Sequence, residues 1–225
     1  MRILYTIFKM KIIGHRGSKG LAPENTIASL RKGLEHHVDM LEFDVRVTRD
    51  GVVILHHNPE ITNANGVKIK ISGTEYEELR AHKPDLATLE AALAIDSKTP
   101  LVIEVKPDEP VKPVVAILKK TKRDDISLAS SSQKTLLELQ SALPETEKIV
   151  IEKWSGVRAS RRMRQLGTKK VFMNQRWLWW GFIRGFKNSD KQLYAYTLNN
   201  PAKARRWAKW GLAGVITDYP NRFEK

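Results

Sequence analysis

Leu41-Glu42-Phe43-Asp44-Val45, the turn Thr48-Arg49-Asp50-Gly51 and the run Val52-Val53-Ile54-Leu55-His56-His57 decide how this chain is read. In an extended strand successive side chains alternate between two faces, so Glu42 and Asp44 share one face while Leu41, Phe43 and Val45 share the other. Two carboxylates this close are costly in an interior unless a cation lies between them. Such a strand asks for a divalent metal or a basic partner, or it is an edge with ordinary solvated acids. The histidines that end the next apolar run add groups able to move protons near neutral pH.

On the amino-terminal side, Lys11-Ile12-Ile13-Gly14 is a short apolar run that delivers His15-Arg16-Gly17 into a loop, a layout common at α/β active sites. Pro23-Glu24-Asn25-Thr26 supplies helix-start chemistry, with Glu24 read as early negative charge, and Ile27, Leu30 and Leu34 give an amphipathic helix to about His37. On the carboxyl side, residues 58–73 read as a loop with a hairpin around Asn65-Gly66. Thr74 is expected to open a helical turn carrying Glu75, Glu77 and Glu78, and residues 86–93 to form a helix. Leu101-Val102-Ile103-Glu104-Val105-Lys106 is then a buried strand with Glu104 and Lys106 on one face, repeating the pattern of Glu42 and Asp44.

Further apolar runs at 126–129, 148–151, 170–173, 193–198 and 214–217 are separated by helical segments at 111–119, 133–143, 157–166, 177–186 and 201–210. Strand and helix alternate without a linker or low-complexity tract. This pattern predicts parallel strands with right-handed crossovers in one domain, residues 1–225, and a (β/α)8 TIM-type barrel fits it best. Nine candidate strands compete for eight places, and no helix separates 41–47 from 52–57. In such a barrel the strand ends meet at one mouth, which would gather His15, Arg16, Glu42, Asp44, His57, Glu104 and Lys106.

The chain has 225 residues, no cysteine, 41% hydrophobic and 28% charged residues, and a net charge of +14. That composition is globular and excludes disulfide and thiolate chemistry, and it fits a reducing cytosol. The positive excess favours phosphate-bearing partners. The first ten residues are apolar but shorter than the roughly 18–20 needed to cross a bilayer, and read as a leader into the first strand.

His15-Arg16-Gly17, Pro23–Thr26, Glu42-Phe43-Asp44, Asp50-Gly51-Val52, a histidine at 56 or 57, Ile103–Lys106, Tyr196–Asn199 and Gly214–Pro220 occur in this order. As an ordered set they resemble the glycerophosphodiester phosphodiesterase family, from Lys11 to Pro220. The resemblance implies a barrel of the phosphatidylinositol-phospholipase-C-like type that cleaves a glycerophosphodiester into glycerol 3-phosphate and an alcohol. It implies that Glu42, Asp44 and Glu104 bind one Mg²⁺ or Ca²⁺, and three oxygen ligands without cysteine independently favour such a hard cation. It implies Arg16 and Lys106 as phosphate ligands, and His15 and His57 as the acid–base pair. Counting from Gly51, the family's histidine falls on His57 rather than His56. The chain departs from the family pattern at Asn58, where an aspartate is usual, and at Thr62-Asn63-Ala64, where an arginine and paired threonines are usual. These departures leave a rival open, an inactive phosphate-binding barrel. A second rival is a lysophospholipase D. His36, His37 and His82 are read as surface residues without a role.

Between Lys153 and Ser189 there are ten Lys or Arg residues and no Asp or Glu, interleaved with aromatics. One reading assigns Trp179, Phe182, Ile183 and Phe186 to the inward stripe of a barrel helix, with a solvated basic face. The other seats Trp177 and Trp180, beside Arg184, on an anionic membrane as a peripheral contact. Single-stranded nucleic acid, which would use similar stacking, is the least favoured partner.

Overall fold

A computed structural model describes residues 10–95, 97–187 and 189–223. The proposed leader at residues 1–9 lies outside them. The strands are β1 (Lys11–Gly14), β2 (Met40–Val47), β3 (Val53–Leu55), β4 (Glu60–Thr62), β5 (Lys68–Lys70), β6 (Leu101–Val105), β7 (Ile126–Ser130), β8 (Glu147–Glu152), β9 (Lys170–Asn174), β10 (Gln192–Tyr196) and β11 (Gly214–Thr217). The helices are α1 (Ile27–Glu35), α2 (Tyr76–His82), α3 (Leu89–Leu93), α4 (Val111–Leu118), α5 (Gln133–Ala142), α6 (Gly156–Leu166), α7 (Trp180–Arg184) and α8 (Pro201–Trp210).

Eight strands run parallel in the order β1-β11-β10-β9-β8-β7-β6-β2, and β2 returns to β1 to close the barrel. The ninth candidate is β3. It pairs antiparallel with β2, Val45 opposite Leu55 and Val47 opposite Val53. The reason is chain length: a parallel crossover takes a dozen or more residues, whereas Thr48–Gly51 is only a turn, with Gly51 at φ +85°. The expectation that 52–57 is a buried parallel strand is therefore corrected. Its two faces are apolar for another reason. Val53 and Leu55 join the main core, while Ile54 packs on a small cluster of Ile61, Ile71, Leu79 and Leu86.

Alternation along each strand divides the core into layers. Leu41, Phe43, Val45, Leu101, Ile103 and Val105 pack outward against Leu30 of α1 and Leu89 of α3. Ile13, Val102, Ala129, Ile149, Phe172, Tyr194 and Ile216 form a separate cluster that fills the barrel interior. Along β6 the inward positions run from Val102 to Glu104, so the interior changes from apolar to charged toward the carboxyl ends.

Several local expectations shift. Thr26 caps α1, accepting from the Ser29 amide while Ser29 Oγ accepts from Thr26. Glu24 precedes the helix and adds nothing to its first turn, because it is engaged by Arg16. Thr74 does not open α2; that helix starts after Glu75, and the Thr74 hydroxyl donates to the Lys70 carbonyl. The 86–93 helix is shortened to α3, because the Ala87 carbonyl accepts from the Leu55 amide. The predicted 177–186 helix breaks into a short 3₁₀ turn, Gln175–Trp177, and α7. The hairpin around Asn65-Gly66 forms as expected between β4 and β5, with Asn63 Oδ1 accepting from the Asn65 and Val67 amides. Asn63, a departure from the family pattern, thus serves the turn.

Candidate active site

A cavity of about 820 Å³ opens at the carboxyl ends of the barrel strands and is lined by His15, Arg16, Glu42, His57, Glu104 and Lys106 among others. Six of the seven residues singled out in the sequence line it, and the seventh, Asp44, lies just beneath. The β2–β6 register sets this up: Asp44 faces Glu104 and Glu42 faces Val102 across the pair. One oxygen from each of Glu42, Asp44 and Glu104 lies within 4.8 Å of the others. Oxygens sharing one Mg²⁺ or Ca²⁺ at 2.0–2.6 Å lie at most about 5 Å apart. The donor set and its spacing fit a hard divalent cation.

The charge balance agrees. Lys106 Nζ sits 2.6 Å from Asp44 and 2.9 Å from Glu104, and is itself buried. Arg16 Nε lies 3.3 Å from Asp44, while its Nη1 donates to both oxygens of Glu24 at 2.8 Å. Burial opposes ionisation of Asp44, but Lys106 and Arg16 outweigh it and hold its carboxyl well below the usual range. The other two acids are left without enough positive charge. Burial, reinforced by Asp44, pushes Glu104 up to about 7. Burial together with Asp44 and Glu104 pushes Glu42 well up. Glu42, Asp44 and Glu104 face two cations, Lys106 and Arg16, and Arg16 is shared with Glu24. Such a cluster either takes up protons or binds a cation.

Backbone geometry holds the cluster in place. Arg16 adopts φ +50°, a left-handed conformation that costs a non-glycine residue roughly 1–2 kcal/mol. In that conformation its amide donates to Glu42 Oε2 at 2.9 Å. Gly17 is required beside it, at φ +81° and with Ser29 where a Cβ would stand. Asn25, at φ +58°, donates from Nδ2 to Asp44 Oδ2 and accepts from the Asp44 amide. The αL tolerance of asparagine makes this two-point clamp possible.

The two histidines are supported differently. His15 Nδ1 lies 2.6 Å from Asp218 Oδ1, and Asp218 Oδ2 accepts from Asn199 Nδ2 at 2.9 Å. Burial lowers the His15 pKa, with Asp218 pulling the other way. Asp218 is held low in spite of its own burial by hydrogen bonds from His15 and Asn199. His57 Nδ1 lies 2.9 Å from the Asn58 side-chain oxygen, and burial lowers His57 to about 4 against the pull of Asp44. His57 lines the cavity; His56 does not, and its Nδ1 faces the Asn58 carbonyl. Asn25, Asp218 and Asn199 each lie inside an ordered motif of the sequence, yet their part in the site shows only in the fold. A side chain that serves another side chain leaves no periodic signal.

A closed β/α barrel that gathers carboxylates, histidines, lysine and arginine at its carboxyl-end mouth has the donors and charges that metal-assisted phosphoryl chemistry uses. More narrowly, the model of the glycerophosphoryl diester phosphodiesterase family matches residues 15–222, and the chain belongs to that family. It is 25% identical to a glycerophosphodiester phosphodiesterase of Bacillus subtilis, the match covering 95% of this chain and 85% of that protein. It is also 25% identical to a lysophospholipase D of Mus musculus over 62% of this chain; that match spans only 48% of the mouse protein. A phosphodiesterase of Oleispira antarctica, solved with its product sn-glycerol-3-phosphate, superposes with a TM-score of 0.85 at 24% identity, covering 95% of this chain and 94% of that one.

Proposed function

We propose that this chain, as one barrel domain, hydrolyses glycerophosphodiesters to glycerol 3-phosphate and an alcohol. The single observation that carries the reading is the convergence of Glu42, Asp44, Glu104, Arg16, Lys106 and two histidines on one cavity. Glu42, Asp44 and Glu104 would hold one Mg²⁺ or Ca²⁺, which when bound supplies charge neutralisation at phosphorus. Lys106 and Arg16 present fixed positive charge to the phosphate oxygens, and Arg16 keeps a buried Nε–H without an acceptor.

His57, neutral at pH 7, takes the proton from the attacking oxygen, the glycerol 2-hydroxyl. The new O–P bond forms as the P–O bond to the alcohol breaks. His15 acts from its imidazolium form, which Asp218 favours and burial disfavours, and gives its proton to the departing alkoxide. A water then opens the cyclic phosphate with the two histidines in exchanged roles, and the proton count returns to its start. Asn58 orients the His57 ring but offers no carboxylate charge, so the base is held ready in its neutral form.

A second reading, lysophospholipase D, is favoured by one observation: exposed tryptophans stand beside the mouth. One assay decides among the readings. Choline release is measured from glycerophosphocholine and from lysophosphatidylcholine, each with and without EDTA. EDTA-sensitive release from glycerophosphocholine supports the first, release from the lysolipid alone supports the second, and release from neither leaves the inactive phosphate-binding barrel.

A further inference from the structure

The catalytic reading leaves one region of the mouth without a task. Trp154, Val157, Trp177, Trp179 and Trp180 are 60%, 83%, 50%, 64% and 53% exposed. They make up five of the seven large exposed hydrophobics among the described residues. All five come from the segments that follow β8 and β9, the carboxyl-end side of the barrel. Trp179 is the correction to the inward-stripe reading. Leu178 and Ile183 take the buried places, Phe182 and Phe186 are half-buried, and Trp179 stands out in solvent.

The patch is continuous and held in shape. Trp154 and Trp177 meet edge to face with centroids 5.9 Å apart, joining the β8 loop to the β9 loop. Gly156 lies flat against the Phe182 ring, and Gly181 against Trp179, so closely that a Cβ at either glycine would strike the aromatic ring. Arg184 stacks over Trp180 at 5.7 Å. Lys153, Arg176 and Arg184 are exposed around the indoles, Arg158 beside them pairs with Glu152 at 2.7 Å, and no acid occurs from 153 to 189. Lys153 and Asn174 also line the catalytic cavity, so the patch forms its rim.

We propose that this rim is a membrane-docking surface that seats the open mouth on a bilayer rich in anionic phospholipid. Indoles and a bare valine have affinity for the headgroup–acyl boundary, and the ring of cations complements lipid phosphate. Two other partners fit less well. Single-stranded nucleic acid would find faces to stack on, but nothing to do with Val157. A second copy meeting this one through the same patch would bring Lys153, Arg176 and Arg184 against their own copies, with Glu152 already engaged by Arg158. The proposal does not depend on the hydrolytic reading, since docking is measured without turnover.

The test uses the full chain and sucrose-loaded vesicles of phosphatidylcholine alone and of equimolar phosphatidylcholine and phosphatidylglycerol. The wild type is expected to sediment with the anionic vesicles, at least tenfold more weakly with the neutral ones, and to be released by high salt. Brominated lipid in the anionic vesicles should quench its tryptophan fluorescence, a readout that needs no variant. W177A/W180A should lose at least tenfold in vesicle affinity, while its circular dichroism and thermal unfolding stay those of the wild type, which certifies the fold. Absence of sedimentation and quenching by the wild type overturns the proposal. So does undiminished vesicle binding by a W177A/W180A variant that keeps the circular dichroism of the wild type. A concentration-dependent dimer that this variant abolishes, or displacement from vesicles by a single-stranded oligonucleotide at lower concentration than by soluble phosphatidylglycerol headgroup, would assign the patch to the other partners.

Discussion

The two halves of the barrel mouth are built on opposite principles. On the side of β1, β2, β6 and β11, charged groups are buried and locked to one another: Asp44 is 1% exposed, Glu42 4% and Lys106 6%. On the side of β8 and β9, large apolar groups are exposed and are locked to glycine and to each other. Each half breaks the ordinary rule of inside and outside. A protein accepts a buried carboxylate cluster or an exposed indole patch only where something else completes it. The missing complement differs: positive charge and phosphate on one side, and a second phase on the other. The tryptophan side should therefore tolerate substitution in solution, and the acidic side should not.

The largest effects should come from the histidines. His57→Ala or His15→Ala should lower kcat by about 10²–10⁴-fold, the usual worth of a positioned acid or base, with unchanged circular dichroism. Retained activity in either variant would break the contrast at its strongest point. Next, Asp44→Asn removes the shared partner of Lys106 and Arg16 and should destabilise the protein by about 3–5 kcal/mol in urea unfolding. A loss no larger than that of an exposed pair such as Arg49–Glu75, about 0–1 kcal/mol, would show that the cluster is solvated.

Asp218→Asn should reduce kcat by about 10–100-fold, as removal of an outer-shell carboxylate behind a histidine does. Because Asp218 raises the His15 pKa, its loss should also move the limb of the pH–rate profile that reports His15 to lower pH. An unshifted profile would mean that Asp218 only packs.

A pH series sharpens the charge argument. Burial raises Glu104 from 4.5 to about 7, so between those values the metal-free native state holds a proton that the unfolded chain has lost. Through Glu104 the unfolded state then binds fewer protons, so that group's contribution to stability falls as pH rises through the window, while His15, His56 and His57, lowered by burial, contribute in the opposite sense below 6.5. Differential scanning fluorimetry in EDTA should show the Tm of the wild type falling relative to that of Glu104→Gln between about pH 5 and about pH 7. Mg²⁺ or Ca²⁺ should reverse the trend by displacing the proton, with affinity rising over the same window. The smallest effect belongs to the opposite rim: Val157→Ser, at 83% exposure, should change unfolding free energy by no more than about 0.5 kcal/mol.

How far the sequence carried each feature follows from the kind of signal. Glu42, Asp44, Glu104 and Lys106 were visible because strand alternation is local: charged residues in an apolar run stand out at a spacing of two. The barrel was visible for the same reason, in alternating strands and helices. The fate of Val53–Leu55 was not, since an apolar run carries no direction and only the shortness of the Thr48–Gly51 turn sends it back along β2. Trp179 escapes a helical stripe because the residues before it form a 3₁₀ turn and it is itself the cap of α7. The support of His15 by Asp218, 203 residues away, lies beyond any local pattern.

Composition, periodicity and ordered motifs by themselves determined the fold class and which residues carry charge toward the barrel interior, because both are consequences of neighbours along the chain. Tertiary structure alone decided the balance of that charge: that Lys106 and Arg16 satisfy Asp44 and leave Glu42 and Glu104 in deficit, and that the tryptophans face outward beside the same opening. Electrostatic energy depends on distance and burial, and neither is defined until distant strands have closed into one sheet.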